Sequence, residues 1–360
     1  MDLAWGEDFT VLAEVSKSVF ERYSPLPDRT RAVPFADQVA QFAELGWLHL
    51  GDPTGSDPDS APLATIAAVF VEMGRALAAT PLLELTTARD AALLVGGAAG
   101  KGLADAIGEG ESLVVPVFPA PEWGASLSFD GGTLSGTALA VDHADHADRL
   151  LVHAGGAESA LVVVEVGPHI RVDEMPNIGD HPMFSVTFDA APVADSGVLA
   201  RGNDADHAVA TAEQRRDVLR AAQLYGAGLQ LLDMTVQYAG ERHQFGGPIG
   251  RFQAVQYLCT DLAIAAHLTS AHARSAAAAL DSGNDPQPHI GLLRRQAAKA
   301  ALEIVHSAHE VHAGIAYMVE SNVHLFTSAA KRWQYDFGSA ARNNTEIVSA
   351  LDRIYTGALV

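Results

Sequence analysis

A short segment of the chain, residues 238–253, joins a cation to a turn that is rich in glycine. It reads Tyr-Ala-Gly-Glu-Arg-His-Gln-Phe-Gly-Gly-Pro-Ile-Gly-Arg-Phe-Gln. Arg242 supplies a planar fork of donors that suits phosphate oxygens. The glycines and the proline of residues 246–250 interrupt a helix and let the backbone run close to a flat or anionic group. The segment therefore predicts a binding turn for such a ligand.

A second segment, residues 142–148, reads Asp-His-Ala-Asp-His-Ala-Asp and places carboxylates and imidazoles at close spacing. Both groups are ligands for divalent metal ions. The alternative is an exposed segment of a β-domain that binds no metal. We favour this alternative, and no metal site is predicted.

Length, charge and cysteine content narrow the classes of function. The 360 residues exceed one ordinary core, so two or three packed units are expected. The formal net charge of −21 makes nucleic acid and anionic membrane surfaces poor partners. No apolar run reaches the roughly 18 residues of a membrane span, and no signal peptide is visible. The single cysteine fits a reducing compartment, so we expect a cytoplasmic protein.

The spacing of the apolar residues divides the chain into three predicted domains. Residues 1–110 have apolar side chains at helical spacing, as in residues 9–20. Residues 111–203 contain several short β-rich runs, with Asp-Gly-Gly at 130–132 as a hairpin turn. Residues 204–360 return to long helical stripes with small residues between them. The predicted fold class is α+β, with an N-terminal helical domain, a middle antiparallel β-barrel or sandwich, and a C-terminal four-helix bundle.

This order of domains resembles the acyl-CoA dehydrogenase family over nearly the whole chain. Residues 242–254, Arg-His-Gln-Phe-Gly-Gly-Pro-Ile-Gly-Arg-Phe-Gln-Ala, are similar to the flavin-contacting turn of the family in their charged, aromatic, glycine and proline positions. The Glu-Leu-Gly-Trp sequence at 44–47 and the Val-Glu-Met-Gly-Arg-Ala-Leu sequence at 71–77 are similar to two shorter family motifs.

The resemblance implies α,β-dehydrogenation of an acyl-CoA thioester with FAD as cofactor, in fatty acid or steroid catabolism. In that chemistry a glutamate removes the α-proton and a hydride leaves the β-carbon for the flavin. The turn of one family subunit typically reaches the FAD that a neighbouring subunit holds. The residues that the resemblance assigns to cofactor binding are Arg242, Gln244, Phe245, Phe252, Gln253, Glu310, His312 and Gly314.

The two family positions for the catalytic base are occupied here by Arg216 and Phe337. Neither side chain acts as a base. Asp217 and Asp336 stand one residue from these positions and are the candidates that remain. The side chain of Asp217 points about 100° away from that of Arg216 around the helix.

The family loop that holds a subunit's own flavin is also incomplete. Glu122, Gly124 and Ser126 remain of it, and the strand after Gly136 lacks the family tryptophan. The chain thus has the turn by which a family subunit contacts the FAD of its neighbour, and it lacks part of the loop by which a subunit holds its own FAD. This pattern resembles the shorter, base-lacking subunit of actinobacterial heterotetrameric acyl-CoA dehydrogenases of steroid side-chain degradation, whose partner is a homologous subunit.

Two alternatives stay open at the level of sequence. One is a self-sufficient, homo-oligomeric acyl-CoA dehydrogenase that uses an aspartate as its base. The other is a non-catalytic scaffold or binding protein that keeps the fold without flavin.

Overall fold

The computed structural model of the chain describes residues 7–28, 33–119, 126–177 and 182–357. The helices in chain order are α1 (Glu7–Phe20), α2 (Phe35–Glu44), α3 (Leu63–Arg75), α4 (Leu82–Val95), α5 (Gly97–Gly108), α6 (Gly202–Glu241), α7 (Gln253–Asp281), α8 (Gln287–His312), α9 (Val323–Asp336) and α10 (Ala340–Gly357). The strands are β1 (Val114–Val117), β2 (Ser126–Asp130), β3 (Thr133–Asp142), β4 (Arg149–Ala154), β5 (Ala160–Glu165), β6 (Ile170–Glu174), β7 (Met183–Pro192), β8 (Val198–Arg201), β9 (His243–Gln244) and β10 (Gly247–Pro248).

These elements form two compact units that do not follow the chain order. Residues 7–28, 62–79 and 217–357 form the helical unit. The second unit contains the described residues of 33–61 and 80–216. Each unit has its own packing.

The helical unit is built on long helices with small residues at their contacts. α7 packs along α8, and α8 also contacts α9 and α10. Gly228 of α6 lies against α7, where a Cβ at this glycine would come within 2.9 Å of the Cβ of Ala266. The small stripe residues predicted from the sequence are therefore core residues at close helix contacts.

The crossing of α3 and α6 explains why an N-terminal helix belongs to the same unit as the C-terminal helices. A Cβ at Gly74 would stand 1.8 Å from the carbonyl oxygen of Gln223. A Cβ at Gly226 would stand 1.8 Å from the carbonyl oxygen of Val71. Both positions therefore accept only glycine at this backbone-to-backbone approach.

The second unit is organised around two four-stranded sheets. One has the order β1-β4-β5-β8 and the other β2-β3-β7-β6. β1 runs parallel to β4, while the other pairs in these two sheets are antiparallel. Apolar side chains from both sheets share one buried core, with Leu134, Leu150 and Val186 at its centre. The arrangement is that of a sandwich.

The predicted fold class is confirmed by this architecture and by the structural relatives described below. The predicted hairpin also forms, since Asp130 of β2 pairs with Thr133 of β3. The sequence did not predict α5 as a separate helix, because its several glycines disfavour helical structure. The domain boundaries at residues 110 and 203 stay a prediction. Within the described residues, no helix has the length and apolar character needed to cross a membrane.

Candidate functional site

A cavity of about 540 Å³ lies in the helical unit where α6 ends and α8 ends. Its size falls in the range of small-molecule sites. It is lined by Tyr238, Arg242, Gln244, Ile249, Val311, His312, Ala313, Gly314 and Ile315. Four of the predicted cofactor-binding residues, Arg242, Gln244, His312 and Gly314, are therefore brought together although about seventy positions separate the two segments in the sequence.

Arg242 presents an unused guanidinium to this cavity. Its backbone groups are hydrogen-bonded within the protein: its amide donates to the carbonyl oxygen of Tyr238, and its carbonyl oxygen accepts from the amide of Ile249, each at 2.8 Å. Among the residues that the structure describes, its side chain has no ion-pair or hydrogen-bond partner. Acidic residues are abundant in a chain of net charge −21, so a free arginine at a cavity indicates a site for an anionic ligand.

His312 closes the cavity on the α8 side. Its ring stacks on that of Tyr238, with centroids 4.4 Å apart and planes inclined by 19°. Burial, together with the nearby His309, lowers the pKa of His312 below its usual range. The Nε2 atom of His312 is buried and has no hydrogen-bond partner within the described part of the chain. A buried ring nitrogen in this state is a candidate contact for a bound ligand.

The turn between α6 and α7 places the aromatic residues of the predicted site. His243 pairs with Pro248, and Gln244 with Gly247, in the short β9–β10 hairpin. Phe245 at its tip is 86 % exposed and has a φ of 51°. Its ring meets that of Phe252 edge to face at 6.1 Å, and Gln253 begins α7 directly afterwards.

The segment that follows α8 contains a strained alanine. Ala313 has φ 52° and ψ −137°, a region that glycine adopts far more readily than other residues. The family resemblance has glycine at this position. Gly314, the next residue, has open space around its Cα and lines the cavity.

Glu310 is placed differently from the other predicted cofactor residues. It is exposed on α8 and is not part of the cavity lining. A carboxylate in the cavity wall would repel a bound pyrophosphate, and Glu310 lies outside that wall. Its charge acts instead on His309, whose pKa it raises against the stronger lowering by burial.

Both candidate bases are occupied by arginines inside the helical unit. Asp217 receives the Nε of Arg294 at 2.6 Å, and its side chain is 3 % exposed. Asp336 is bridged by Arg332 at 2.8 Å and by Arg220 at 3.3 Å. A guanidinium then occupies the oxygens that a substrate proton would have to reach, which disfavours either residue as a general base.

The two family base positions are equally unsuited to proton abstraction. Phe337 is buried, with 1 % exposure. Arg216 lies beside Glu213, with 3.6 Å between their charged groups. Of the residues predicted for the flavin loop, Glu122 and Gly124 lie outside the described residues, and Ser126 begins β2.

The Asp/His segment at 142–148 is held by local contacts in the second unit. Phe35 stacks on His146 at 4.6 Å and meets His143 at 5.1 Å. The Nε2 of His143 stands 4.0 Å from the carboxylate of Glu84. Across the ranges that the structure describes, no group of three or more His, Cys, Asp or Glu side chains is arranged to hold a metal ion.

Sequence reasoning did not single out Tyr238 as part of the site. A signal was available, because Tyr238 precedes Arg242 by four residues and so lies on the same helix face. The apolar lining residues Ile249, Val311 and Ile315 carried no such signal.

The helical bundle, the central sheets and this turn define a class of flavin-dependent dehydrogenases, and comparison with known proteins agrees. Residues 208–348 match the model of the acyl-CoA dehydrogenase C-terminal domain. The chain is 29% identical over 340 residues to acyl-CoA dehydrogenase IpdE2 of Mycolicibacterium smegmatis, which covers 90% of this chain and 93% of that protein. It is 28% identical over 288 residues to acyl-CoA dehydrogenase FadE28 of Mycobacterium tuberculosis, covering 76% and 80%.

Solved structures share the fold at lower identity. A chain of the ChsE4-ChsE5 complex from Mycobacterium tuberculosis superposes with a TM-score of 0.85 at 23% identity, over 98% of this chain and 99% of that one. Butyryl-CoA dehydrogenase from Megasphaera elsdenii gives a TM-score of 0.84 at 18% identity, over 98% and 100%. Residues 208–348 therefore correspond to the C-terminal domain of acyl-CoA dehydrogenases, and the chain is similar over most of its length to oxidoreductases of that family.

Proposed function

We propose that the chain is the flavin-completing, base-deficient subunit of a heteromeric acyl-CoA dehydrogenase, and that its partner is a homologous subunit. The observation that carries this proposal is a division between its arginines. Among the residues that the structure describes, Arg242 has no side-chain partner at the cavity, whereas arginines bind both candidate bases. The described residues therefore offer a contact for an anionic cofactor, while the two candidate carboxylates for proton removal, Asp217 and Asp336, are engaged by arginines.

The residues of the cavity fit the chemistry of FAD. Arg242 and Gln244 would hold the anionic part of the cofactor, and the buried Nε2 of His312 would supply a further polar contact. The flavin supplies hydride acceptance when it is bound. This chain contributes by binding, by orientation and by excluding water with Ile249, Val311 and Ile315. The base that takes the α-proton belongs to the partner.

The relatives support a heteromeric assembly and a bulky substrate. One structural relative is the ChsE4-ChsE5 complex, and another is described as the Tcur3481-Tcur3483 steroid acyl-CoA dehydrogenase. Both names pair two chains, and the second associates the fold with steroid chemistry. We therefore propose that the substrate is an acyl-CoA thioester and that steroid-derived thioesters are the first class to test.

Purification with and without a partner tests the proposal. The chain alone is expected to be colourless and inactive, whereas co-expression with a homologous acyl-CoA dehydrogenase subunit from the same genome is expected to yield a yellow, active complex. The absorbance of bound flavin and the mass of the assembly are the measurements. A yellow and active homo-oligomer of this chain would overturn the proposal in favour of a self-sufficient enzyme.

A point substitution tests the role of the cavity within that complex. Arg242→Gln is expected to weaken flavin retention by about 30-fold, because a charge-assisted hydrogen bond contributes about 2 kcal/mol. Arg295→Gln is the matched control, since Arg295 is an exposed arginine of α8 outside the cavity. Equal flavin retention in the two variants would remove Arg242 from the cofactor site.

A further inference from the structure

The side chain of Arg251 joins the two ends of the turn that carries the aromatic residues. Arg251 ends the short 3₁₀ segment Ile249–Arg251, just before α7. Its Nη2 reaches back and donates a hydrogen bond to the carbonyl oxygen of Phe245. Its guanidinium carbon also lies 5.0 Å from the centroid of the Phe252 ring. One side chain thus holds both aromatic residues, through a hydrogen bond and a cation–π contact.

Phe245 needs such support because its own preferences oppose its position. A φ of 51° is unfavourable for a bulky residue, and 86 % exposure leaves its ring in water. Its edge-to-face contact with Phe252 covers little of that ring. The bond from Arg251 to the Phe245 carbonyl therefore fixes a conformation that the phenylalanine does not select by itself.

Gly247 is explained by the same contact. Its φ is not in the left-handed region, so backbone freedom is not the reason for a glycine here. A Cβ at this position would lie 2.8 Å from Nη1 of Arg251 and 3.2 Å from its Cζ. The absent side chain makes the space through which the guanidinium reaches Phe245.

We propose that Arg251 is a positioning residue that holds residues 242–252 in the shape that binds the cofactor. It presents Phe245 outward and fixes the hairpin behind Arg242. The two arginines have different roles. The guanidinium of Arg251 donates a hydrogen bond within the turn, whereas that of Arg242 faces the cavity and can donate to the ligand. The proposal rests on the proposed function only for the identity of that ligand.

Hydrogen exchange of the free chain tests the positioning role without any cofactor. The amides of Ile249 and Phe252 are hydrogen-bonded within the turn, to Arg242 and Ile249. Arg251→Gln is expected to speed their exchange by about fivefold, because it removes one hydrogen bond that is exposed to water and therefore weaker than a buried charge-assisted bond. Gly247→Ala is expected to do the same while keeping the charge, since its Cβ displaces the guanidinium. The double variant is expected to exchange no faster than either single variant.

Two controls separate this role from a general effect on charge or folding. Arg295→Gln removes the same charge from the exposed face of α8 and is expected to leave exchange in the turn unchanged. Arg251→Lys keeps the charge and a single donor but loses the planar contact with Phe252, so partial recovery of protection is expected. Unchanged exchange in both Arg251→Gln and Gly247→Ala would overturn the proposal.

Flavin affinity in the complex with the partner subunit then links the turn to its ligand. Arg251→Gln and Gly247→Ala are each expected to weaken FAD binding by about fivefold, in step with the lost protection. If Arg242→Gln weakens FAD binding and these two variants do not, the proposed function stands and the positioning role is overturned. If Arg242→Gln has no effect either, the flavin assignment of the turn fails first, and the positioning role toward flavin fails with it.

Discussion

The helical unit uses its arginines in two ways, and the contrast separates structure from binding. In the buried ion network, formed by Arg220, Arg294, Arg332, Asp217, Asp336 and Glu346, each cation meets a carboxylate within 3.3 Å. In the open turn, residues 242–252, Arg242 meets no carboxylate among the described residues. The buried arginines form ion pairs with neighbouring carboxylates, because an unpaired buried charge would strongly destabilise the folded state. The charge of Arg242 at the turn stays available to a ligand, because water solvates it until the ligand binds.

The comparison also shows what occupies the two candidate bases. Asp217 and Asp336 were the remaining candidates by sequence position. Each is adjacent to a family base position, yet each contributes to the ion network. A carboxylate cannot hold a buried arginine and also leave its oxygens open to a substrate. The two candidate bases therefore serve the fold.

The largest expected effect comes from breaking the buried ion network. Arg294→Met would remove the cation that lies 2.6 Å from the buried carboxylate of Asp217, whereas Glu346 would keep its ion pair with Arg342 at 2.9 Å. We expect the free energy of unfolding to fall by about 3 kcal/mol. Urea denaturation monitored by circular dichroism measures it. The neighbouring Arg295→Met, at an exposed position, is expected to change stability by less than about 0.5 kcal/mol, and similar losses in both variants would contradict a special role for the network.

A smaller effect, of opposite sign, is expected at the wall of the cavity. Ala313→Gly removes a Cβ from a backbone with φ 52° and is expected to raise the free energy of unfolding by about 1 kcal/mol. Ala316→Gly is the matched control, because Ala316 is fully buried and shows no left-handed φ. It is expected to lower stability by about 1 kcal/mol. The two thermal midpoints should therefore move in opposite directions, and a shared direction would argue against strain at Ala313.

The pH dependence of the cavity region is the next effect in size. Burial lowers the pKa of His312, and also that of His309, relative to an exposed histidine. The folded state therefore prefers the neutral rings. Their contribution to stability is complete above the ordinary histidine pKa of about 6.5 and is lost as the pH falls through the lower folded-state pKa.

Replacing one of these rings should flatten that profile. His312→Phe keeps an aromatic ring that stacks on Tyr238 and removes the titration. Thermal midpoints measured from pH 7.5 to 5 should fall less steeply in the variant than in the wild type, because the acid loss that comes from the buried His312 ring disappears. An unchanged slope in His312→Phe would contradict this role of the buried ring.

The smallest effect on stability is expected at the tip of the open turn. Phe245→Ser removes a ring that is 86 % exposed and contacts Phe252 only by its edge. The free energy of unfolding should change by less than about 0.5 kcal/mol. Chemical denaturation provides the measurement. A loss of more than about 2 kcal/mol would mean that the Phe245 ring stabilises the fold, which would contradict the contrast between the stabilising ion network and the open turn.

Much of the architecture could be predicted because it follows from local periodicity. The apolar stripe of residues 9–20 became α1, and Asp-Gly-Gly at 130–132 became the β2–β3 turn. α5 and β8 were not predicted from the sequence. The glycines of α5 weaken its helical propensity, and the four residues of β8 are too few to show an alternation of apolar and polar side chains. The parallel pairing of β1 with β4 joins distant residues and has no local signal.

The candidate site was predictable in part for the same reason. Arg242, Gln244 and Phe245 lie in one continuous motif, so their proximity follows from the chain itself. The family resemblance also predicts that Arg216 and Phe337 stand at the family base positions. The role of Arg251 could not be predicted from the motif, because it depends on the space that the absent side chain of Gly247 leaves for the guanidinium.

The sequence by itself determined the resemblance to acyl-CoA dehydrogenases, the order of helical and β-rich regions, and the presence of a cationic turn, because each depends on residues that are neighbours along the chain. Tertiary structure alone decided which arginine is free and which aspartate is occupied. Asp217 meets Arg294, and Asp336 meets Arg220, only after α6, α8 and α9 have packed. Availability for chemistry depends on partners that are distant along the chain, and only packing brings those partners together.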